Sequence, residues 1–147
     1  MGMKINKDKT VVMAISRGDV ELNVSIEESG LEQVRNFKYL GVTFNEKGGT
    51  EGELKERISK FSRNVGMLYP LLGEKSIARE VKVLIYTTIL RPILLYGSEC
   101  WTLNTAQKSK VKAAEMRVMR VIRGVTRRDR LRSEVVRRDL GVEPILE

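Results

Sequence analysis

Basic side chains are concentrated near the C-terminal end of this 147-residue chain. Of its 27 Lys and Arg and 19 Asp and Glu residues, 12 and 4 lie between Gln107 and Asp139, which leaves 15 of each elsewhere. The formal net charge of +8 therefore comes entirely from that segment. Guanidinium and ammonium groups donate hydrogen bonds to phosphate oxygens, so a basic patch of this kind indicates a polyanionic partner.

The basic residues of this segment follow helical spacing. On a helical wheel of residues 106–125, apolar side chains fill one arc of about 100° and cations lie roughly opposite. No helix-turn-helix spacing, zinc-finger ligand set or paired RNP-like aromatics accompanies them, so we predict contacts to the phosphate backbone rather than to bases. The alternative is a solvated helix face. The apolar arc contains Val111, Ala114, Val118, Val121, Ile122 and Val125, and the predicted nucleic-acid contacts are Lys108, Lys112, Arg120, Arg123 and Arg127, continued in the next loop by Arg128 and Arg130.

The composition excludes most catalytic chemistry. The chain has no histidine and one cysteine, Cys100, which rules out His-based zinc sites, Ser–His or Cys–His nucleophile pairs and an internal disulfide. A two-metal site needs clustered carboxylates. The acidic candidates stand among lysines or in turns, without such spacing: Asp8, Asp19, Glu21, Glu27 and Glu28. We therefore expect no catalytic residue, no metal site and no cofactor in this chain.

Neither a membrane span nor a signal-peptide core is visible in the sequence. No apolar run approaches the roughly 20 residues that cross a bilayer. Met1 leads into a polar stretch. We expect a nuclear or cytoplasmic protein that is not secreted and has no membrane partner.

The N-terminal third has strand patterns. Residues Thr10–Ser16 are rich in β-formers, and Val20–Ile26 alternates apolar and polar residues. With the turn signal Arg17–Asp19 between them, these segments predict an antiparallel hairpin. A second turn is predicted at Glu28–Gly30, followed by an aromatic strand pattern at Val34–Phe44 that breaks at a glycine.

The pattern becomes helical after Gly48-Gly49. A capping box at Thr50 and Glu53 begins a helix that Pro70 bends or ends, and Ser76 caps a second helix that continues to Arg91-Pro92. Thr105 caps a third helix, and a fourth covers Ser133–Leu140. The predicted inward residues are Leu54, Ile58, Phe61, Val65, Leu68 and Leu72 in the first helix and Val81, Leu84, Ile85, Thr88 and Ile89 in the second. We predict an α+β fold, with a small antiparallel sheet in residues 1–48 and a helical bundle in residues 49–147.

Three stretches carry a resemblance to a known family: Gly2–Thr10, Phe37–Phe44 with its Tyr-Leu-Gly, and Leu90–Trp101 with the pattern Arg-Pro-x-x-x-Tyr-Gly-x-Glu-x-Trp. In this order, they resemble reverse transcriptases of non-LTR (LINE-type) retrotransposons. The first is similar to the segment that follows the family's catalytic aspartates, the second to the hairpin called the primer grip, and the third to the thumb signature. Further thumb and post-thumb similarities at 115–117, 123–130 and 140–144 extend the resemblance over nearly the whole chain.

The resemblance implies a fragment of an RNA-directed DNA polymerase. Residues 1–48 would be a partial palm with the primer-grip-like hairpin, and residues 49–147 a thumb-like domain. The resemblance places primer contacts at Phe37, Tyr39, Leu40 and Gly41, and Lys9 near the phosphates of the incoming nucleotide. The implied partner is an RNA–DNA hybrid or duplex, bound without sequence preference, and the complete enzyme would use Mg²⁺.

The chain departs from the family at the catalytic centre. The aromatic-Ala-Asp-Asp signature, which precedes the Gly2–Thr10 segment in the family, does not occur in this sequence. We therefore expect a truncated product that cannot polymerise nucleotides alone. Two alternatives stay open: a protein-interaction or dimerisation module that uses an exposed palm surface, and a decayed relic with no cellular role.

Overall fold

The computed structural model describes residues 4–16 and 18–146, apart from the side chain of Cys100. Short strands occupy the part before residue 46 and helices the part after residue 50, so the predicted α+β class is confirmed. The chain divides into two compact units between Glu53 and Leu54, whereas the predicted boundary lay at Gly48-Gly49.

The first unit contains three separate two-stranded sheets within its described residues. One sheet is parallel and two are antiparallel hairpins. The parallel pair is β1 (Val11–Val12) with β4 (Glu32–Gln33), and the hairpins are β2 (Ser25–Ile26) with β3 (Ser29–Gly30) and β5 (Asn36–Tyr39) with β6 (Val42–Asn45).

The predicted antiparallel pairing of Thr10–Ser16 with Val20–Ile26 is wrong for the described residues. The β1 strand pairs with β4 instead. The side chain of Gln33 satisfies backbone groups of the alternating segment, since its Oε1 accepts from the amide of Leu22 at 2.7 Å and its Nε2 donates to the carbonyl of Val20 at 2.6 Å. The hydrogen bonds of one side-chain amide thus take the place of the strand pairing that the alternating apolar and polar pattern predicted.

The two predicted turns of this unit have different outcomes. Arg17, in the first, lies outside the described residues. The second is centred on Glu27 and Glu28, one residue earlier than predicted, with φ angles of 47° and 67°. Two consecutive positive φ angles are the signature of a tight two-residue hairpin turn.

The β5–β6 hairpin forms at the aromatic strand pattern. Phe37 lies opposite Phe44, and Tyr39 lies opposite Val42. The connecting residues Leu40 and Gly41 have φ angles of 48° and 80°. Glycine adopts this conformation freely, but for leucine the left-handed region costs roughly 1–2 kcal/mol. The turn therefore holds an exposed leucine in a strained backbone conformation.

The first helix matches its predicted stripe. Helix α1 (Glu51–Gly73) continues through Pro70 rather than ending there. Ile58 and Leu68 are partly buried against the core. The other four predicted residues are almost wholly buried: Leu54, Phe61, Val65 and Leu72.

The second predicted helix forms with a different start and a different inward face. Helix α2 (Arg79–Ile85) follows Ala78, so the Ser76 cap is wrong. It runs through a π-helical turn (Tyr86–Leu90) into α3 (Arg91–Leu95). Three predicted inward residues, Val81, Leu84 and Ile89, are about half exposed, and Thr88 is also exposed. The buried stripe is Lys82, Tyr86, Leu90 and Leu94.

The π turn keeps the buried stripe on one side of the helix from Tyr86 onward. Residues four apart drift by about 40° per step around an α-helix. A π turn has wider, i to i+5 hydrogen bonding, which reverses this drift and keeps residues spaced by four on one side. The wide turn also precedes Pro92, which has no backbone N–H to donate. Proline there is accommodated instead of interrupting the helix.

The last two helices carry the basic segment. Helix α4 (Thr105–Arg123) begins after Asn104, which forms a capping box with Gln107, so the cap lies one residue before the predicted Thr105. Helix α5 (Ser133–Leu140) has the predicted bounds and ends at Gly141. Helix α4 packs against α2 and α5. No helix within residues 4–16 and 18–146 is long and apolar enough to cross a membrane.

Candidate nucleic-acid interface

Helix α4, the segment 124–132 and the start of α5 surround a cationic cleft. Its volume is about 480 Å³. Four of the predicted contact residues line it, namely Lys112, Arg120, Arg127 and Arg130, and Arg137 is a fifth cation that the sequence reasoning did not single out. None of the described lining residues is acidic. Cations from three consecutive elements therefore converge on one depression.

The loop between α4 and α5 has a defined conformation. Gly124 ends α4 with a φ of 75°. Thr126 and Asp129 then form a capping box around the single turn Arg127–Asp129, in which the Asp129 carboxylate accepts from the Thr126 amide at 2.6 Å and from its hydroxyl at 2.9 Å. These hydrogen bonds lower the pKa of Asp129. The carboxylate of Asp129 is thus hydrogen-bonded within the turn. Arg127 and Arg130, which lie on either side of it in the same loop, line the cleft.

Arg120 and Arg137 are held by the protein itself. Arg120 donates from Nη2 to the carbonyl of Leu131 at 3.3 Å, and Arg137 donates from Nη2 to Glu115. The Nε atoms of both arginines are buried and have no hydrogen-bond partner among the described residues. An unpaired buried donor is unfavourable. The two guanidinium groups thus add charge to the cleft in fixed orientations, while their buried Nε atoms lie out of reach of a ligand.

A buried polar network fixes the inner side of the cleft. Glu115 has no solvent-exposed surface; the hydroxyl of Tyr86 donates to it at 2.8 Å and Arg137 forms an ion pair with it. Burial, and then the neighbouring Glu115 charge, raise the pKa of Tyr86. The network connects α4, the π turn and α5. Sequence reasoning missed it, although a glutamate within the apolar arc of α4, four residues from Val111, was a visible signal.

Arg123 does not belong to the cleft. Its Nε donates to Asp139 at 2.8 Å, and its Nη2 lies 2.5 Å from the same carboxylate oxygen. Both side chains are largely shielded, with exposures of 22% and 27%. Arg123 is thus a predicted contact that the structure places in an ion pair with the protein's own acid.

Two other predicted cations lie outside the cleft. Arg128 is exposed beside it, next to Arg127 in the same turn. Lys108 lines a different concavity of about 590 Å³, together with Trp101. The indole Nε1 of Trp101 is buried without a partner among the described residues.

The primer-grip-like residues form an exposed aromatic surface in the first unit. Phe37 and Tyr39 stand on one face of β5 with their rings stacked at 6.4 Å and 19°. Leu40 is 72% exposed at the turn, and Gly41 follows it. Lys9 lies in a short turn, and its amide donates to the Asn6 side chain. These residues belong to one compact unit and the cationic cleft to the other.

The described residues provide no metal site. No three acidic or cysteine side chains come together among residues 4–16 and 18–146 in a way that could hold an ion. The chain therefore has no donor set in these residues that fits the Mg²⁺ implied for a complete polymerase.

Comparison with known proteins gives one significant relative. In an alignment 149 residues long that covers 97% of this chain, it is 25% identical to an uncharacterised transposon-derived protein of Caenorhabditis elegans. It spans about half of that relative, 52% of its length. No family model matches the chain, and no solved structure matches it. The chain is thus similar to a transposon-derived protein over nearly all of its sequence.

Proposed function

We propose that this chain is the palm–thumb portion of a LINE-type reverse transcriptase and that its helical unit binds a nucleic-acid duplex through the sugar-phosphate backbone. The observation that carries the proposal is the cationic cleft. Its described lining contains five cations and no carboxylate, and the exposed Arg128 stands beside it. The similarity to a transposon-derived protein supports this origin.

The nature of the cations favours backbone contacts. Arginine presents a planar set of donors that matches phosphate oxygens, and each neutralised phosphate releases condensed counterions. Such contacts carry no sequence information by themselves. A polymerase that copies any template needs binding of this kind, so we propose an RNA–DNA hybrid or duplex DNA as the partner.

The β5–β6 hairpin has a separate role in this proposal. The exposed stacked rings of Phe37 and Tyr39, with Leu40 at the turn, would contact the primer strand. The turn glycine allows close approach of a sugar-phosphate chain because it has no side chain. Lys9 is proposed near the nucleotide phosphates on the resemblance alone.

Titration of a labelled RNA–DNA hybrid tests the proposal. We expect a Kd of roughly 10⁻⁴ to 10⁻⁶ M near physiological salt, rising steeply as salt increases. A duplex DNA of unrelated sequence should bind within a few-fold of the hybrid. Fluorescence anisotropy at two or more salt concentrations measures both properties. Affinity that is insensitive to salt would contradict the proposal.

A second candidate function is self-association through the first unit. It is favoured by the exposure of Tyr39, Leu40 and Phe37 on one hairpin, because clustered apolar side chains on a surface often mark an interface. In this case sedimentation velocity should show a dimer that Leu40→Ser weakens. A monomer at every concentration measured would count against this function and leave duplex binding unaffected.

A further inference from the structure

The cationic cleft is more than a charged surface, because it combines cations with an apolar lining. Met116 is 4% exposed, and Leu131 packs partly buried against the core. Both line the cleft, together with Ala113. Its volume of about 480 Å³ lies within the roughly 300–1,000 Å³ of small-molecule sites. A duplex backbone needs only cations, whereas this lining could also contact a base or a sugar.

The cations that line the cleft differ in how they are held. Lys112, Arg127 and Arg130 form no ion pair among the described residues. Arg120 and Arg137 also line the cleft, but their Nε atoms are buried, so a ligand can meet only other parts of these guanidinium groups. Contacts to the Leu131 carbonyl and to Glu115 fix the orientation of both groups. Donors oriented before a ligand arrives lower the entropic cost of binding.

The start of α5 adds to the same side. Ser133 lines the cleft and is the first residue of this helix. The N-cap, Arg132, makes no side-chain capping hydrogen bond. The first backbone amides of a helix favour negative charge, since they have no partner within the helix. This feature supplements the arginine donors and does not define the site by itself.

We propose that the cleft is a discrete site for a phosphomonoester, a terminal dianionic phosphate carried by a nucleotide-sized group. Lys112, Arg127 and Arg130 would bind the phosphate, and the oriented guanidinium groups of Arg120 and Arg137 would add positive charge to the same lining. The apolar lining would contact the attached base or sugar. The same chemistry is offered by a free mononucleotide and by the phosphorylated end of a strand. The site does not require that the surrounding surface bind a duplex.

Titration with adenosine monophosphate at constant ionic strength tests the site. Backbone amide shifts of residues 126–133 should saturate with the monophosphate, and adenosine should produce none of these shifts. Arg127→Ser should weaken binding about tenfold or more, as expected for a lost charged hydrogen bond. The matched control is Arg63→Ser, because Arg63 is an exposed cation of α1, has the same charge and does not line the cleft. It should change binding less than twofold.

Two oligothymidylates, one with a 5′-phosphate and one with a 5′-hydroxyl, separate the two sources. A preference for the phosphorylated strand identifies strand ends as the ligand. Saturable binding of the monophosphate without that preference identifies free nucleotides.

Three results would overturn the site: equal binding of adenosine, non-saturating shifts, or equal losses from Arg127→Ser and Arg63→Ser. Duplex titration on the same samples reports on the proposed function separately. Duplex binding without a monophosphate site refutes only this inference. A monophosphate site without duplex binding refutes only the proposed function.

Discussion

A Glu115→Ala variant is expected to lose about 3–5 kcal/mol of unfolding free energy. The substitution removes the carboxylate that accepts from Tyr86 and pairs with Arg137, and Glu115 itself is fully buried. It leaves a largely buried guanidinium and a buried phenol without their partner, which costs far more than a lost surface ion pair. Urea denaturation followed by circular dichroism should show a lower midpoint with an unchanged slope.

Two controls distinguish loss of the partner from loss of packing. Arg117→Ala, at an exposed position of the same helix, should stay within about 0.5 kcal/mol of wild type. The combined variant Tyr86→Phe, Glu115→Leu, Arg137→Met replaces the whole network with apolar groups of similar size. It should recover most of the lost stability, because apolar replacement of a complete buried ion pair is often neutral or stabilising. A loss below about 1 kcal/mol for Glu115→Ala would show that water reaches these groups.

The sequence pattern predicted correctly those elements whose structure is determined by residues close together in the chain. The α1 stripe and the bounds of α5 follow from apolar periodicity and a terminal glycine, which act within a few residues. The β5–β6 hairpin was implied by the resemblance of Phe37–Phe44, since the pattern alone indicated a strand that breaks at Gly41. The predicted hairpin of residues 10–26 failed because its outcome depended on a distant group. The side chain of Gln33 satisfies Val20 and Leu22, and no local pattern indicates that bond.

The face of α2 could not be predicted for a related reason. Val81, Leu84 and Ile89 have the apolar spacing of an ordinary helix, yet they are exposed. The face that is buried instead includes Tyr86, at the start of the π turn, whose hydroxyl donates to the Glu115 carboxylate of another helix. A rotation of the helix by part of a turn exchanges one stripe for another without changing the sequence pattern.

The sequence predicted a cluster of cations on this part of the chain, but it did not predict which of them line the cleft. Spacing on α4 selected Lys112 and Arg120, which line the cleft, but it also selected Arg123, which pairs with Asp139. Asp139 is sixteen residues away on α5. Arg137 reaches the cleft from that same helix. Both outcomes depend on how α4 and α5 pack, and a wheel drawn for one helix has no information about the other.

Simultaneous substitution of Arg127, Arg128 and Arg130 by glutamate should nearly abolish duplex binding. These three exposed residues belong to the loop between α4 and α5, and no ion pair is described for any of them. If each contacts one phosphate, the slope of log Kd against log salt should fall by about 2.7, since each neutralised phosphate contributes about 0.9. Anisotropy titrations at several salt concentrations give the slope directly. The loss should be the same for unrelated duplex sequences.

The charge-matched control reverses Lys55, Arg63 and Arg79, which are exposed cations on α1 and at the start of α2. It changes the net charge equally, so an equal loss of affinity would mean that total charge, not this loop, attracts the duplex.

The variant Asp139→Asn is expected to raise the affinity for the duplex, because it removes the ion-pair partner of Arg123. The released guanidinium should strengthen binding and steepen the slope by about 0.9. Weaker binding in that variant would show that the ion pair positions the surface, and that Asp139 does not compete with phosphate for Arg123.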